Sequence, residues 1–338
     1  MFRRLLPLLA AGLLSATSLT AQAATAYPLT VHNCGRELVF ERAPQRLVSL
    51  GQASTELLLR LGVGPRLVGT GVWFGALPKD LQEAGTGIPR LADNAPSFEA
   101  VVGTRPDLVA AQYTYHVGPG GEVGDFPRFA ELGIAAYVAP SDCEGKAVTA
   151  DSNSDGSRST PFDMQLVTRE VHELAAILDV QPAGDRLAAD LDRRIAAAST
   201  QAKAAGVQGR SVLFWFSSPR LEGDPWVAGN LGAPAWIARA LGLRNVVDSA
   251  EEWPAVSWER IAALDPDYIV VARMDRRLYP ADDVDKKLAF LRSDPLTREL
   301  RAVRENHLLV VDAPTLNPSL RVVDGLEALS TALAKPQP

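Results

Sequence analysis

Cysteine is almost absent from this 338-residue sequence, which has only Cys34 and Cys143. Two sulfurs so far apart, with no clustered histidine beside them, exclude a zinc site of ordinary ligand spacing. Histidine is nearly as scarce. The four residues at 32, 116, 172 and 307 are too scattered for an imidazole metal cage, and His172-Glu173 lacks the second His of a zinc-protease helix. Positive charge is in deficit, with 34 Lys and Arg against 40 Asp and Glu. That balance, without any long basic run, excludes a general nucleic-acid binder. Also missing are a phosphate loop ending in GKS or GKT and a G-x-S-x-G nucleophile turn, and "GTGVWFG" (69–75) misses the dinucleotide-fingerprint spacing. The loop "DSNSDG" (151–156) begins like a calcium loop but has Phe162 where the bidentate Glu belongs, so it reads as a polar surface loop. Nothing groups a nucleophile, a base and an orienting partner. No catalytic residue, resident metal or cofactor is therefore assigned, and the chain reads as a non-enzyme.

What is present suits a water-soluble globular protein long enough for two domains, with 47% hydrophobic and 22% charged residues. Residues 1–23 read as an export signal. Arg3 and Arg4 form the basic start, Leu5 to Leu14 the apolar middle, and Ala21-Gln22-Ala23 the cleavage site. The apolar stretch is too short and interrupted for a comfortable membrane span. No Cys follows it to carry a lipid, so the expected compartment is the bacterial periplasm without an anchor. In that oxidising setting Cys34 and Cys143 are expected to form a disulfide, the alternative being two buried thiols.

The chain repeats itself. "PSFEAVVGTRPDLVAAQ" (96–112) and "SWERIAALDPDYIVVAR" (257–273) align without a gap, Ser97 with Ser257, Glu99 with Glu259, Pro106 with Pro266 and Asp107 with Asp267. Each copy predicts a Ser-capped short helix, a stop before proline, and a strand buried on both faces. The strand–helix–Gly–strand grammar of "RLVSLGQASTELLLRLGVGPRLVGTG" (46–71), with Ser54 or Thr55 beginning the helix and Gly62 ending it, returns in "SVLFWF" (211–216) and "APAWIARALGLRNVVD" (233–248). Between the halves, Met164, Val167, Val171, Leu174 and Leu178 follow one helical face. They predict a connecting helix over 161–181, running towards a second helix at roughly 186–204. The expected fold is α/β: two similar lobes (27–160 and 182–335), each a mostly parallel sheet flanked by helices, joined by one long interdomain helix. Clefts between such lobes are favoured ligand sites.

These pieces, with "LNPSLRVVDGLEAL" (316–329), resemble class III solute-binding proteins of ABC importers, the group serving ferric siderophores, haem and cobalamin. The resemblance spans most of the chain after the signal. It implies a monomer that carries a small-molecule metal chelate in the inter-lobe groove, opens and closes only slightly, and delivers its cargo to an inner-membrane permease. It also implies that one surface Glu on each lobe, here Glu99 and Glu259, docks on that permease. A first-turn carboxylate also favours the helix macrodipole by ~0.3–1 kcal/mol, which alone would account for a Glu there.

Ligand contacts are expected on loops at the carboxyl ends of the strands. In the first lobe these loops offer Gln52, Trp73, Phe74, Gln112, Tyr113 and Tyr115. In the second they offer Phe216, Ser218, Arg220, Trp226, Trp253 and Arg273, with Arg321 from the late loop. Trp258 is expected in the core instead. Aromatics with Arg suit a large, planar, partly anionic ligand. A ferric siderophore is the first choice, its iron already chelated. Cobalamin comes second, and haem third, with Tyr113, Tyr115 or His116 as its iron ligand. A periplasmic α/β enzyme or a metal chaperone is the reading from another class.

Overall fold

The first described strands make a hairpin, β1 (Leu29–Asn33) and β2 (Arg36–Phe40), in a computed structural model that describes residues 24–149 and 152–335. The export-signal segment, and Asp151 of the 151–156 loop, lie outside the described residues. The hairpin is tied to the body twice. The Asn33 amide brackets Val138, donating to its carbonyl at 2.7 Å and accepting from its N–H at 2.9 Å. Cys34, at the turn, is bonded to Cys143 with their Cα atoms 5.5 Å apart. Closing a loop of 109 residues removes unfolded-state entropy worth ~4–5 kcal/mol in the chain-entropy model.

The first lobe runs β3 (Leu47–Leu50), α1 (Gln52–Arg60), β4 (Leu67–Gly71), β5 (Arg90–Ala92), α2 (Phe98–Gly103), β6 (Leu108–Ala111), α3 (Thr114–Val117), α4 (Phe126–Glu131), β7 (Ala135–Val138) and α5 (Pro140–Cys143). Its sheet is wholly parallel in the order β5-β4-β3-β6-β7. A two-stranded ribbon, β8 (Lys146–Ala147) and β9 (Ser157–Arg158), leads out of it to α6 (Met164–Ile177) and α7 (Gln181–Ala204). The second lobe follows with β10 (Ser211–Ser217), β11 (Trp226–Val227), α8 (Ala233–Ala240), β12 (Arg244–Asn245), α9 (Trp258–Leu264), β13 (Tyr268–Arg273), α10 (Val284–Ser293), α11 (Arg301–Arg304), β14 (Leu308–Asp312) and α12 (Val322–Leu333). There β12, β10, β13 and β14 are parallel, and β11 is an antiparallel edge. Two separate sheets, in which β12-β10-β13-β14 repeats the order β4-β3-β6-β7, answer the expectation of two similar lobes.

The repeat is a structural repeat. Ser97 accepts from the Ala100 N–H and Ser257 from the Arg260 N–H, each at 3.2 Å, so both short helices start on the same serine cap. The strands that follow, β6 and β13, are buried along nearly their whole length. The repeated Asp has a job that the sequence pattern did not reveal. Asp107 accepts the backbone N–H groups of Gln45 and Arg46. Asp267 accepts both the backbone N–H and the side-chain hydroxyl of Ser211. Each carboxylate therefore pins the start of the neighbouring strand of its own sheet.

Three helix boundaries differ from expectation. The first helix starts at Gln52, not at Ser54 or Thr55, because Gly51 at φ 118° makes the turn that a side chain would resist. Thr55 is buried instead and shares hydroxyl hydrogen bonds with Ser49 and Thr70. The connecting helix spans 164–177, shorter than 161–181, since Asp163 caps its first turn and Asp179 at φ 56° ends it. The helix after it begins at Gln181 rather than 186. Pro182 does not delay it, because the first helical turn needs no N–H from that residue.

α6 joins the lobes physically. Phe162, just ahead of it, donates its N–H to Leu231 and meets Trp236 of the second lobe edge-on. At its other end, Arg66 of the first lobe donates to the Leu178 carbonyl at 2.8 Å. Val167, Val171 and Leu174 lie in one apolar cluster with Leu57 and Leu108 of one lobe and Phe214 and Val270 of the other. Among the described residues no helix is long and apolar enough to cross a membrane.

Candidate ligand-binding site

A cavity of about 600 Å³ forms where the loop after β4 meets the loop after β13. Trp73, Phe74, Gly75 and Ala76 line it from the first lobe, over a floor that includes Thr55 and Thr70. Asp275 and Arg276 close it from the second. The Arg90 guanidinium, from β5, sits 4.5 Å from the centre of the Trp73 ring, a cation–π arrangement that holds the indole plane. Arg276 crosses between the lobes, donating to the Trp73 carbonyl at 2.9 Å and the Asp93 carbonyl at 2.6 Å, and to the Asn94 side chain. A cavity of this size lies inside the range of small-molecule sites, roughly 300–1,000 Å³.

A narrow crevice shares Phe74 with the cavity and continues between Gln52, Glu56 and Gln112 on one side and Pro314, Asn317, Ser319 and Arg321 on the other. Arg321, expected to meet ligand, is instead committed to Glu56 of α1 through two hydrogen bonds. Glu56 is fully buried, so this guanidinium is held as an inter-lobe tie. Gln112 is likewise structural in part. Its side-chain oxygen accepts the Ala53 N–H at 3.2 Å, and its amide donates to the Tyr113 hydroxyl at 2.9 Å. Gln52 organises the cavity wall by accepting the Phe74 and Gly75 N–H groups, each at 3.0 Å.

The remaining expected residues fall into paired groups. Tyr113 and Tyr115 stack with ring centres 5.5 Å apart, and Tyr115 lies 4.0 Å from the His116 ring. Partial burial, with 56% of the residue still exposed, then the charges of Glu122, Asp142 and Asp155, push the Tyr115 phenol up to about 12. Burial brings His116 down to about 4, and its Nδ1 has no hydrogen-bond partner. In the second lobe Phe216 stacks on the buried Trp253 at 4.3 Å, and Trp226 leans on Tyr279 at 5.7 Å. Arg273 is paired with Asp312 at 2.5 Å. Arg220 is exposed and, among the described residues, makes no ion pair. Trp258 is in the core, as expected, edge-on to Trp215.

The cavity thus brings Trp73 and Phe74 together with Arg90, Asp93, Asp275 and Arg276, none of which had been singled out in the sequence. "RMDRR" (273–277) carried a usable signal, since a cluster of Arg at the end of a buried strand extends past Arg273. Arg90 had none, because its strand is three residues long. Among the described residues no group of three His, Cys, Asp or Glu side chains could hold a metal ion. Glu99 and Glu259 are both exposed on their helices' first turns, far from this chemistry in character. Glu99 stands 3.7 Å from Arg128.

A family model described as periplasmic binding protein matches residues 47–315. The fold is similar to that of a periplasmic binding protein from Veillonella parvula dsm 2008, with 23% identity and a TM-score of 0.74 over 89% of this chain and 96% of that one. It is also similar to the ABC-type Fe3+-hydroxamate transport system structure from Saccharomonospora viridis DSM 43017, with 24% identity and a TM-score of 0.70 over 92% and 100% of the two chains. A periplasmic heme binding protein from Pseudomonas aeruginosa matches with 25% identity and a TM-score of 0.63 over 86% and 93%. None of the curated proteins matches the sequence.

Proposed function

The chain belongs to the periplasmic binding protein family, and from that premise we propose that it captures a metal chelate, first of all a ferric siderophore, in its inter-lobe cavity. The chelate then passes to the permease of an ABC importer in the inner membrane. The observation that carries this reading is the cavity of about 600 Å³ lined by Trp73 and Phe74 and flanked by the guanidinium groups of Arg90 and Arg276. Indole and phenyl faces offer area to a flat or propeller-shaped chelate, and the exposed guanidinium groups of Arg90, now 3.0 Å from Asp93, and Arg276, now bonded to carbonyls, would exchange those partners for its oxygen anions. A chelated iron brings its own ligands, which suits a site walled by aromatic and Arg side chains. Residues 1–23 direct export, and the mature protein works as a monomer in the periplasm. Glu99 and Glu259 dock it on the permease.

Titrating the exported chain with a ferric trihydroxamate, a ferric tris-catecholate, haem and cobalamin tests the reading. One ferric chelate is expected to quench tryptophan emission saturably, with a Kd of about 1 μM or tighter. Absence of binding by all four, or chemical turnover of any of them, would overturn it. Haem, ranked behind cobalamin on sequence alone, becomes the second reading through the contact of Tyr115 with His116. A Soret shift lost in Tyr115→Phe or His116→Ala would select it. Cobalamin would instead compete at Trp73 and Phe74 without such a shift.

A further inference from the structure

Beneath the second lobe's wall lies a charge that no ligand would touch. Lys287, on α10, is fully buried. Its ammonium donates to the Phe216 carbonyl at 2.5 Å and the Ala272 carbonyl at 3.3 Å, which lie near the ends of adjacent strands β10 and β13. It also sits 3.6 Å from the Asp282 carboxylate and 5.2 Å from the centre of the Trp215 ring. Asp282, buried as well, accepts the Ser217 hydroxyl at 2.9 Å and the Ser218 N–H at 3.1 Å. One ion pair therefore fastens three segments: the end of β10, the end of β13 and the turn at 280–282.

One of those segments, the end of β13, leads into the cavity, and the other two carry or support aromatic residues expected from the sequence to meet ligand. Phe216 stacks on Trp253, Asp275 and Arg276 follow β13 into the cavity, and Tyr279 precedes the turn and supports Trp226. A buried ammonium costs free energy that an apolar side chain of similar length would not, so net stability does not explain a lysine here. Two strand-end carbonyls and a carboxylate converging on one buried point do explain it, since each needs a donor. We infer that Lys287 is the positioning residue of the second lobe's ligand wall, locking Phe216, the 273–276 loop and Tyr279 into the arrangement that cargo meets. This rests on the cavity being the binding site.

Asp282 is the charged group that faces the ammonium, beside the Trp215 indole and the two carbonyls. Asp283, at the start of the same helix, is held by Arg277 at 2.5 Å, and Arg298 and Glu299 of the turn packed against it pair with each other. Burial, only partly offset by Asp282, brings Lys287 down from 10.5 to about 8. Between those values the unfolded chain keeps a proton that the folded chain has lost. The lysine's contribution to stability therefore rises with pH above about 8. Ligand affinity should move the other way, because a neutral amine holds carbonyls and carboxylate less firmly. A merely structural lysine would not divide the two.

The test follows urea stability, ligand-free tryptophan emission and binding from about pH 7 to about pH 9.5. It compares wild type, Lys287→Met, and Lys287→Met/Asp282→Asn, which leaves no buried unpaired charge should the single variant fail to fold. In wild type, emission is expected to shift with a midpoint near the lysine value of about 8, and stability to rise above it. Affinity for whichever of the four probes binds should weaken roughly tenfold over the same range. The double variant should show no emission shift and should bind at neutral pH as weakly as wild type does in alkali. Wild-type affinity in the double variant, or a wild-type emission shift that survives in it, would overturn the inference. If no probe binds, the function reading falls, and the ligand-free emission alone decides the role of Lys287.

Discussion

Glu170 lies on the buried side of α6, and burial together with Glu173 pushes its carboxyl up from 4.5 to about 8. Between those values the folded protein holds a proton that the unfolded chain has released. Its contribution to stability is therefore most favourable in acid and is lost as pH rises through about 8. Glu170→Gln keeps the volume and removes the titration. The variant should match wild type near pH 4 and exceed it by on the order of 2–4 kcal/mol above about pH 8. Thermal unfolding at the two pH values checks this, and equal gains at both would refute it. The residue scale is also where sequence reading fell shortest. Arg321 and Arg273 looked like free anion ligands, yet both are neutralised by acids far away in the chain, Glu56 and Asp312. A linear pattern names a side chain that could reach ligand but not the partner that claims it first. Trp73 and Phe74 were legible because they leave a buried strand for a Gly-containing loop at the carboxyl edge of the sheet. Arg90 gains its place through the indole it covers and through its ion pair with Asp93 at 3.0 Å.

The repeated unit is the element on which the chain is built twice, and most of the fold could be read from it. Cap, short helix, proline stop and buried strand are all local features, so their signals sit within a few residues of one another. Helix starts were less legible where the capping group came from elsewhere. Gly51 needs no side chain of its own because Gln112, just past the end of β6, accepts the Ala53 N–H. Equivalent caps should have equivalent cost. Ser97→Ala and Ser257→Ala should each lose about 1 kcal/mol in urea unfolding, and a loss confined to one copy would mean that tertiary packing, not the cap, sets those helices. The same two helices display Glu99 and Glu259 to solvent. Reversing both charges to Lys should abolish uptake in cells and leave the Kd of the isolated protein unchanged. The macrodipole preference is at most ~1 kcal/mol per site and would not separate those readouts. Retained transport in the double reversal would return both residues to a purely local role.

Across the whole molecule the lobes are joined by contacts of unequal kind. The apolar cluster through α6 and the buried Arg321–Glu56 pair lie inside the body, with Ser141 donating to the Pro318 carbonyl at 3.0 Å. Arg276 lies at the surface and holds the two loops that frame the cavity through bonds to backbone carbonyls. The two arginines should therefore answer to different measurements. Glu56→Ala leaves a half-buried guanidinium without its carboxylate, and breaking such a pair costs roughly 3–5 kcal/mol, so the melting temperature should fall steeply. Arg276→Ala removes an exposed cation whose bonds water can replace, and stability should change by about 1 kcal/mol or less. What Arg276→Ala should change is the gate. With the loops untied, ligand release should accelerate about tenfold or more, since interface truncations act mainly on the off-rate. Stopped-flow release of the bound chelate, alongside thermal unfolding, separates the two arginines. An off-rate unchanged in Arg276→Ala, or a melting temperature unchanged in Glu56→Ala, would break the division between a fixed inner tie and a releasable outer one.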